Sequence, residues 1–292
     1  MLITEKKINN VIRRVLSDYL FEMNNANNND EFYTRGKDVV RELSNFRADF
    51  NGKTIYCPCD NPATSEFYLY FKKNFGNLNL SGLYATFMSD TPQLIYFDGV
   101  NEHTKPIRSG RFQDNTEYIK QCDIVVTNPP FSDQQALGLA FTIMDMGKDF
   151  IMVVPSSILR KEKVFTLLKN GTLGVGYSPI NHFIRPNGSD MSAPTCWLTT
   201  LRTNKQDFLT GKTYDETKYK KYDNYDAIDC GTKQEKTSYK DIPDDYDGCI
   251  GVSSAGLRVL NPNQYEIVDI LDTPVINGRR TDTKFIIRRK KR

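Results

Sequence analysis

The chain has 292 residues, of which 39% are hydrophobic and 26% charged, with a formal net charge of +3. That balance excludes a disordered or fibrous chain and is too nearly neutral to announce a nucleic-acid partner by itself. The length can bury one large core and leaves room for an elaboration.

The segment MLITEKKINNVIRR has no apolar core of signal-peptide length. No run approaches the ~20 apolar residues of a membrane span, so a cytoplasmic location is expected. Six cysteines (Cys57, Cys59, Cys122, Cys196, Cys230, Cys249) form no CxxC pair and have no histidine at ligand spacing. No metal is expected, and Cys57-Pro58-Cys59 suits two small core residues on a strand.

Taken in order, Ile8, Val11, Ile12, Val15, Leu16, Tyr19 and Leu20 recur at helical spacing over 5–23, and the polar run Asn24 to Asp30 follows as a linker or loop. Phe32-Tyr33-Thr34 precedes a second helical period at Val39, Val40, Leu43 and Phe46. Asn51-Gly52 marks a turn into the short buried strand KTIYCPC. Further strands are predicted at Leu83–Met88, Leu94–Asp98, Asp123–Thr127 and Phe150–Pro155. Between the last two, Ser132 and Gln135 form a capping box and Gly147 a natural stop. Strand, helix, strand at this spacing is a βαβ unit, so a mostly parallel sheet covered by helices follows. Residues 195–201 suggest a late strand. After residue 205 the composition turns to alternating Lys, Tyr and Asp, which places a boundary there. The expected division is 1–30, an N-terminal helix and Asn-rich linker; 31–205, a catalytic domain; and 206–292, a C-terminal recognition region.

The chemistry concentrates at Asn128, Pro129, Pro130 and Phe131, directly after the apolar strand DIVVT. Ligands of open α/β sheets bind at the carboxyl ends of strands. This tetrapeptide suits methylation of an amino group conjugated to a ring or an amide, whose lone pair is delocalised. Two acceptors, the Asn128 side-chain oxygen and the Pro129 carbonyl, would take its hydrogens and aim the lone pair at a methyl donor. The prolines fix the backbone, and the Phe131 ring offers a stacking face. The plain alternative is a Pro-Pro turn with Phe131 as a core plug. For the donor, S-adenosyl-L-methionine (AdoMet), the candidates are Asp60 and Asn61 at the end of the first strand, with Cys59 beside them. Asp60 could equally cap the following helix. Tyr33 and Thr34 could lay an aromatic beside the donor or belong to the core.

Together these segments resemble the EcoRI-type adenine-specific DNA methyltransferases. The resemblance runs from about residue 31 to the C-terminus: FYT before a helix, CPCDNP leading to SEF, DIVVTNPPFS, VGYSP, KYDNYDAID, DIPDDYDGCIGV, NPNQYEIV, and ING before a basic IIRRK ending. It implies an α/β, Rossmann-like AdoMet-dependent methyltransferase fold with a C-terminal target-recognition elaboration, and 6-methyladenine in DNA as product. Two departures stand out. Asp60-Asn61 replaces a pair of acids. Gly110-Arg111-Phe112-Gln113 lacks an acid that would contact the donor's adenine, leaving Phe112 to pack on it, while Asp114 with Glu117 suits a helix N-cap.

A base inside a duplex must be flipped out to reach such a site. Candidate duplex contacts are the Tyr/Lys stretch, with Lys220 and Lys221, and the basic C-terminus. There Arg279, Arg280, Lys284, Arg288, Arg289, Lys290, Lys291 and Arg292 face the single acid Asp282. KFII suggests a strand; a solvated tail at RRKKR and a partly packed tyrosine face are the plain alternatives. Expected partners are therefore double-stranded DNA and a companion restriction endonuclease, with no membrane and no metal, acting as a monomer. RNA adenine or protein glutamine as substrate, or a DNA-binding protein with a decayed site, are the rival functions.

Overall fold

A computed structural model describes residues 32–130, 132–185, 187–230 and 238–291. The expected helix over 5–23, the Asn24–Asp30 run, Phe131 and Arg292 lie outside the described residues.

Strands β1 (Tyr33–Thr34), β2 (Thr54–Pro58), β3 (Gly82–Thr86), β4 (Gln93–Phe97), β5 (Glu102–Pro106), β6 (Ile124–Thr127), β7 (Asp149–Pro155), β8 (Gly174–Val175), β9 (Ile180–Ile184) and β10 (Asp190–Thr199) make one sheet. Its order is β1-β9-β10-β7-β6-β2-β3-β4-β5, with β8 beside β10. The centre, β3-β2-β6-β7, is parallel, and antiparallel strands extend it at both edges. From β2 the chain goes to β3 on one side and later returns through β6 on the other. The carboxyl ends of β2 and β6 therefore flank a topological switch point, where a Rossmann-like sheet opens its ligand crevice.

The strands are apolar because both faces are covered, and alternate residues divide between two cores. Ile55, Cys57, Val126, Ile151 and Val153 join the layer of Val39, Leu43, Phe67, Phe71 and Trp197. Tyr56, Val125, Phe150, Met152 and Val154 join Ala136, Leu139 and Ile143 on the other side. The helices are α1 (Gly36–Leu43), α2 (Glu66–Lys73), α3 (Thr116–Gln121), α4 (Asp133–Asp145), α5 (Glu162–Lys169) and α6 (Ser254–Leu257). As the capping box predicts, Ser132 Oγ accepts from Gln135 N at 3.2 Å. Gly147 ends the helix at φ +66°.

Asp114 does not cap α3. It lies in a short 3-10 turn, and Asn115 occupies the position before the helix. The late strand begins at Asp190 rather than 195, because its first half pairs with β9 beyond the end of β7.

Between Thr199 and Lys221 the chain has neither helix nor strand. Strands β11 (Lys221–Tyr222), β12 (Tyr225–Asp229), β13 (Cys249–Val252), β14 (Tyr265–Leu271) and β17 (Lys284–Arg289) then form a second sheet, ordered β11-β12-β13-β17-β14. A separate ribbon pairs β15 (Val275–Ile276) with β16 (Arg279–Arg280). The second sheet shares the core beneath α4, through Ile228, Ile250, Val252, Phe285 and Ile287.

The basic ending is therefore mostly a central strand rather than a tail. Lys284, expected on the DNA surface, is 3% exposed and pairs with buried Asp229 at 3.3 Å. Lys284 starts a strand paired on both edges, by β13 and β14, and its first four residues are all buried, so both faces of the sheet are covered there. Glu266 holds Arg288 by two bonds of 2.8 and 2.6 Å. The guanidinium of Arg289 lies over the Tyr265 ring and donates to its hydroxyl at 2.7 Å.

Candidate active site

Asn128 leaves the carboxyl end of β6, and its Nδ2 donates to the carbonyl oxygen of Phe32 at 2.7 Å. Its Oδ1 is buried and has no hydrogen-bond partner among the described residues. Turning the amide over would set two oxygens against each other, so the bond to Phe32 decides which atom is the acceptor. An orphaned buried acceptor costs ~1–3 kcal/mol, which a donor N–H on a substrate would recover. Pro129 behind it is buried, whereas Pro130 is exposed.

The FYT segment crosses this crevice. Phe32 lies on Asn128, and two residues past Thr34 a Cβ on Gly36 would fall 2.5 Å from the Glu66 carboxylate, at the start of α2. Thr34, 5% exposed, lies between those anchors, and its Oγ1 is a second buried atom without a partner among the described residues. Tyr33 contributes through its backbone, paired with Ile184.

On the other side of the switch point the chain leaves β2 through Cys59, at φ +66°. Side chains rarely adopt this left-handed conformation, which glycine takes freely. Cys59 thus makes a tight turn of the kind glycine usually makes. Burial raises its thiol pKa. Asn61 Oδ1 accepts from Ala63 N at 3.0 Å, and the Asn61 carbonyl takes Ser65 N at 2.7 Å, turning the chain into α2.

Asp60 neither caps α2 nor faces the crevice freely. The cap is Ser65, whose Oγ accepts from Phe67 N and Tyr68 N and donates to Asp60 Oδ1 at 2.7 Å. Thr127, the residue before Asn128, donates its hydroxyl to Asp60 Oδ2 at 2.6 Å and also lies on the Pro58 carbonyl. The Asn128 backbone N–H reaches the same carboxylate. Burial pushes Asp60 up to about 7, against the pull of these hydrogen bonds. Asp60 therefore ties the end of β2 to the end of β6.

Phe112 is 6% exposed and belongs to the core layer that contains Tyr56 and Tyr118. Gly110 precedes it because any Cβ there would lie 2.0 Å from the Phe87 carbonyl oxygen. Sequence inspection missed Phe32, Ser65 and Thr127. A backbone carbonyl leaves no compositional signal, and a strand threonine resembles any other. Of the expected DNA contacts, Lys220, Lys221, Arg279, Arg280, Arg288, Lys290 and Lys291 are exposed.

A family model described as adenine-specific methyltransferase EcoRI matches residues 20–108 and 96–292. The chain belongs to the EcoRI adenine-specific methyltransferase family. Membership makes it a site-specific, adenine-specific DNA methyltransferase, using a methyl donor. The Type II methyltransferase M.EcoRI of Escherichia coli is 31% identical over 321 residues, spanning 90% of this chain and 94% of that protein. The Type II methyltransferases M.MgeORF184P of Mycoplasma genitalium and M.MpnI of Mycoplasma pneumoniae are each 30% identical, covering 84% of both chains in each pair. Among the described residues there is no cluster of potential metal ligands, and no helix is long and apolar enough to cross a membrane.

Proposed function

We propose that the enzyme transfers a methyl group from AdoMet to the 6-amino nitrogen of adenine, flipped out of double-stranded DNA into the crevice beside Asn128. The observation that carries this is the orphaned Asn128 Oδ1, fixed as an acceptor by the Phe32 carbonyl. Two of the buried side-chain oxygens without partners among the described residues, Asn128 Oδ1 and Thr34 Oγ1, belong to this crevice and suit a site that receives polar ligands. Thr34, the Cys59 turn and Asn61 would hold the donor. When bound, AdoMet supplies an electrophilic methyl carbon on a sulfonium centre.

The remaining work falls to the protein. Asn128 Oδ1 accepts one amino hydrogen and the Pro129 carbonyl accepts the other, drawing the nitrogen toward tetrahedral geometry. Its lone pair then leaves the ring π-system and becomes available for attack. Pro129 and Pro130 hold the backbone before substrate arrives, so little reorganisation accompanies the reaction. No strong base is required, because the nitrogen acidifies on methylation and sheds its proton. The ring of Phe131 would stack on the base.

The test is to incubate the protein with methyl-labelled AdoMet and separate pools of DNA, RNA and protein, then digest and identify the labelled residue. Label in DNA as 6-methyladenine is expected. Label confined to RNA or to protein glutamine would overturn the proposal.

A further inference from the structure

The hairpin Val275–Arg280 lies against β11, outside the pairing of the second sheet, and carries two exposed arginines on its returning strand. Its turn, Asn277-Gly278, has φ of +50° and +74°, the two-residue turn that matches the twist of a tight ribbon. The turn is held from outside. The Asp223 carboxylate accepts from Asn277 N at 2.8 Å and from Gly278 N at 2.9 Å, while Asp223 N donates to the Val275 carbonyl at 2.8 Å. At the base, Thr281 N closes on the Pro274 carbonyl at 2.7 Å. Ile276 is buried with Tyr222, Ala227 and Ile286, which anchors one face of the ribbon.

Directly opposed residues share a face. Arg280 stands with Val275 on the face away from the anchor, and Arg279 stands opposite Ile276. Neither arginine makes a hydrogen bond or ion pair among the described residues. Arg288 and Arg289, by contrast, are bound within the second sheet. Two exposed, unpartnered side chains on a braced mount are what a reading element needs, because the mount lowers the ordering cost of binding.

Position completes the argument. Arg160 belongs to the 3-10 turn Ser156–Arg160, directly after the carboxyl end of β7. It donates to Thr283 Oγ1 at 3.2 Å and lies 3.7 Å from Asp272 Oδ1, the two residues that bracket the hairpin. In the same turn Ser157 donates to Asp133 Oδ1 at 2.8 Å, and the following Lys161 pairs with Oδ2 at 3.5 Å. Asp133 begins α4, five residues after Asn128. The ribbon is thus fastened through Arg160, Ser157 and Asp133 to the rim on which the target amine would sit.

We infer that this hairpin is a groove-probing finger that helps select the DNA target: Arg279 and Arg280 contact base edges, and Asp223 is the positioning residue that keeps the finger rigid. The inference rests on the proposed action on duplex DNA. A two-stranded ribbon fits the major groove, and arginine pairs bidentately with guanine there.

The test compares the full-length protein with Arg279→Gln/Arg280→Gln and with Asp223→Ala. Single-molecule sequencing of DNA from expressing cells gives the methylated motif, and kcat and KM are measured on a duplex carrying the wild-type motif. Melting temperature and AdoMet binding check the fold. For the arginine double variant we expect unchanged melting and AdoMet binding, a loss of about tenfold or more in kcat/KM, and relaxed preference at one or two motif positions. For Asp223→Ala we expect a raised KM for DNA with kcat retained, a split that mere destabilisation would not produce. A wild-type motif and rate in the arginine variant would overturn the inference. So would a uniform loss with the motif intact, since phosphate contacts carry no sequence information. If the wild-type protein methylates no DNA at all, the broader proposal fails and takes the finger with it, whatever the variants do.

Discussion

The side-chain nitrogen of Asn128 donates to the carbonyl oxygen of Phe32 across 96 residues of chain, at 2.7 Å. That single bond turns a symmetric-looking amide into an oriented acceptor. It also explains why an FYT segment from one edge of the sheet crosses to the switch point at its centre.

Asp60 joins the two strand ends of the site, and its protonation should be visible in stability. Burial lifts it from its ordinary 3.8 to about 7, so between those values the folded chain retains a proton that the unfolded chain releases. The group's contribution is fully present below about pH 4 and is lost as pH rises through about 7, with a slope of at most ~1.4 kcal/mol per pH unit. Urea unfolding of wild type and Asp60→Asn from about pH 5 to about pH 8 should show the wild-type curve falling relative to the variant, then running level. Parallel curves would mean that Asp60 stays ionised throughout. AdoMet affinity of the variant should remain within a few-fold. A loss of ~tenfold or more would restore the direct-anchor role first expected of it.

Glu42 predicts a larger structural effect. It is fully buried and accepts from Tyr177 N at 2.8 Å, Ser178 N at 2.7 Å and Ser178 Oγ at 2.6 Å, joining α1 to the VGYSP segment. A Cβ on Gly176 would fall 2.1 Å from its carboxylate, so the glycine is what admits it. Burial raises the pKa of Glu42 and lowers that of nearby Lys205 to about 7. Glu42→Ala strips three donors of their acceptor and should cost roughly 3–5 kcal/mol of unfolding free energy. A change below ~1 kcal/mol in denaturant titration would show the network to be dispensable.

Lys284 separates buried charge from DNA contact. It pairs with Asp229, whose other hydrogen bond comes from the Tyr222 hydroxyl at 2.6 Å. Lys284→Gln should leave the dependence of DNA affinity on salt unchanged while destabilising the chain by roughly 3–5 kcal/mol. A flatter salt dependence at unchanged stability would return Lys284 to the DNA surface.

Much of the catalytic sheet was legible because its central strands are short apolar runs closed by turn residues. Ser132, Gln135 and Gly147 likewise state the limits of α4 in their own chemistry. The motif at Asn128 stood out for the same reason: the function proposed for it needs those residue types side by side. What escaped was long-range. Nothing local in EHTKP marks β5 as a strand, since it is exposed throughout and held by pairing with β4. Lys284 looked like a DNA contact because its burial against Asp229, from a distant strand, is a property of topology. Asp60 looked like an anchor or a cap because Thr127 and Ser65, its partners, are brought to it only by folding.

With Asn128 Oδ1 as the oriented acceptor for the target amine, Asn128→Ala should slow chemistry and spare binding. In single-turnover methylation of duplex DNA, with AdoMet and DNA binding measured alongside, a rate lower by ~10²–10³ is expected, with both affinities within a few-fold of wild type. A wild-type single-turnover rate, or a loss explained wholly by weakened AdoMet binding, would contradict it.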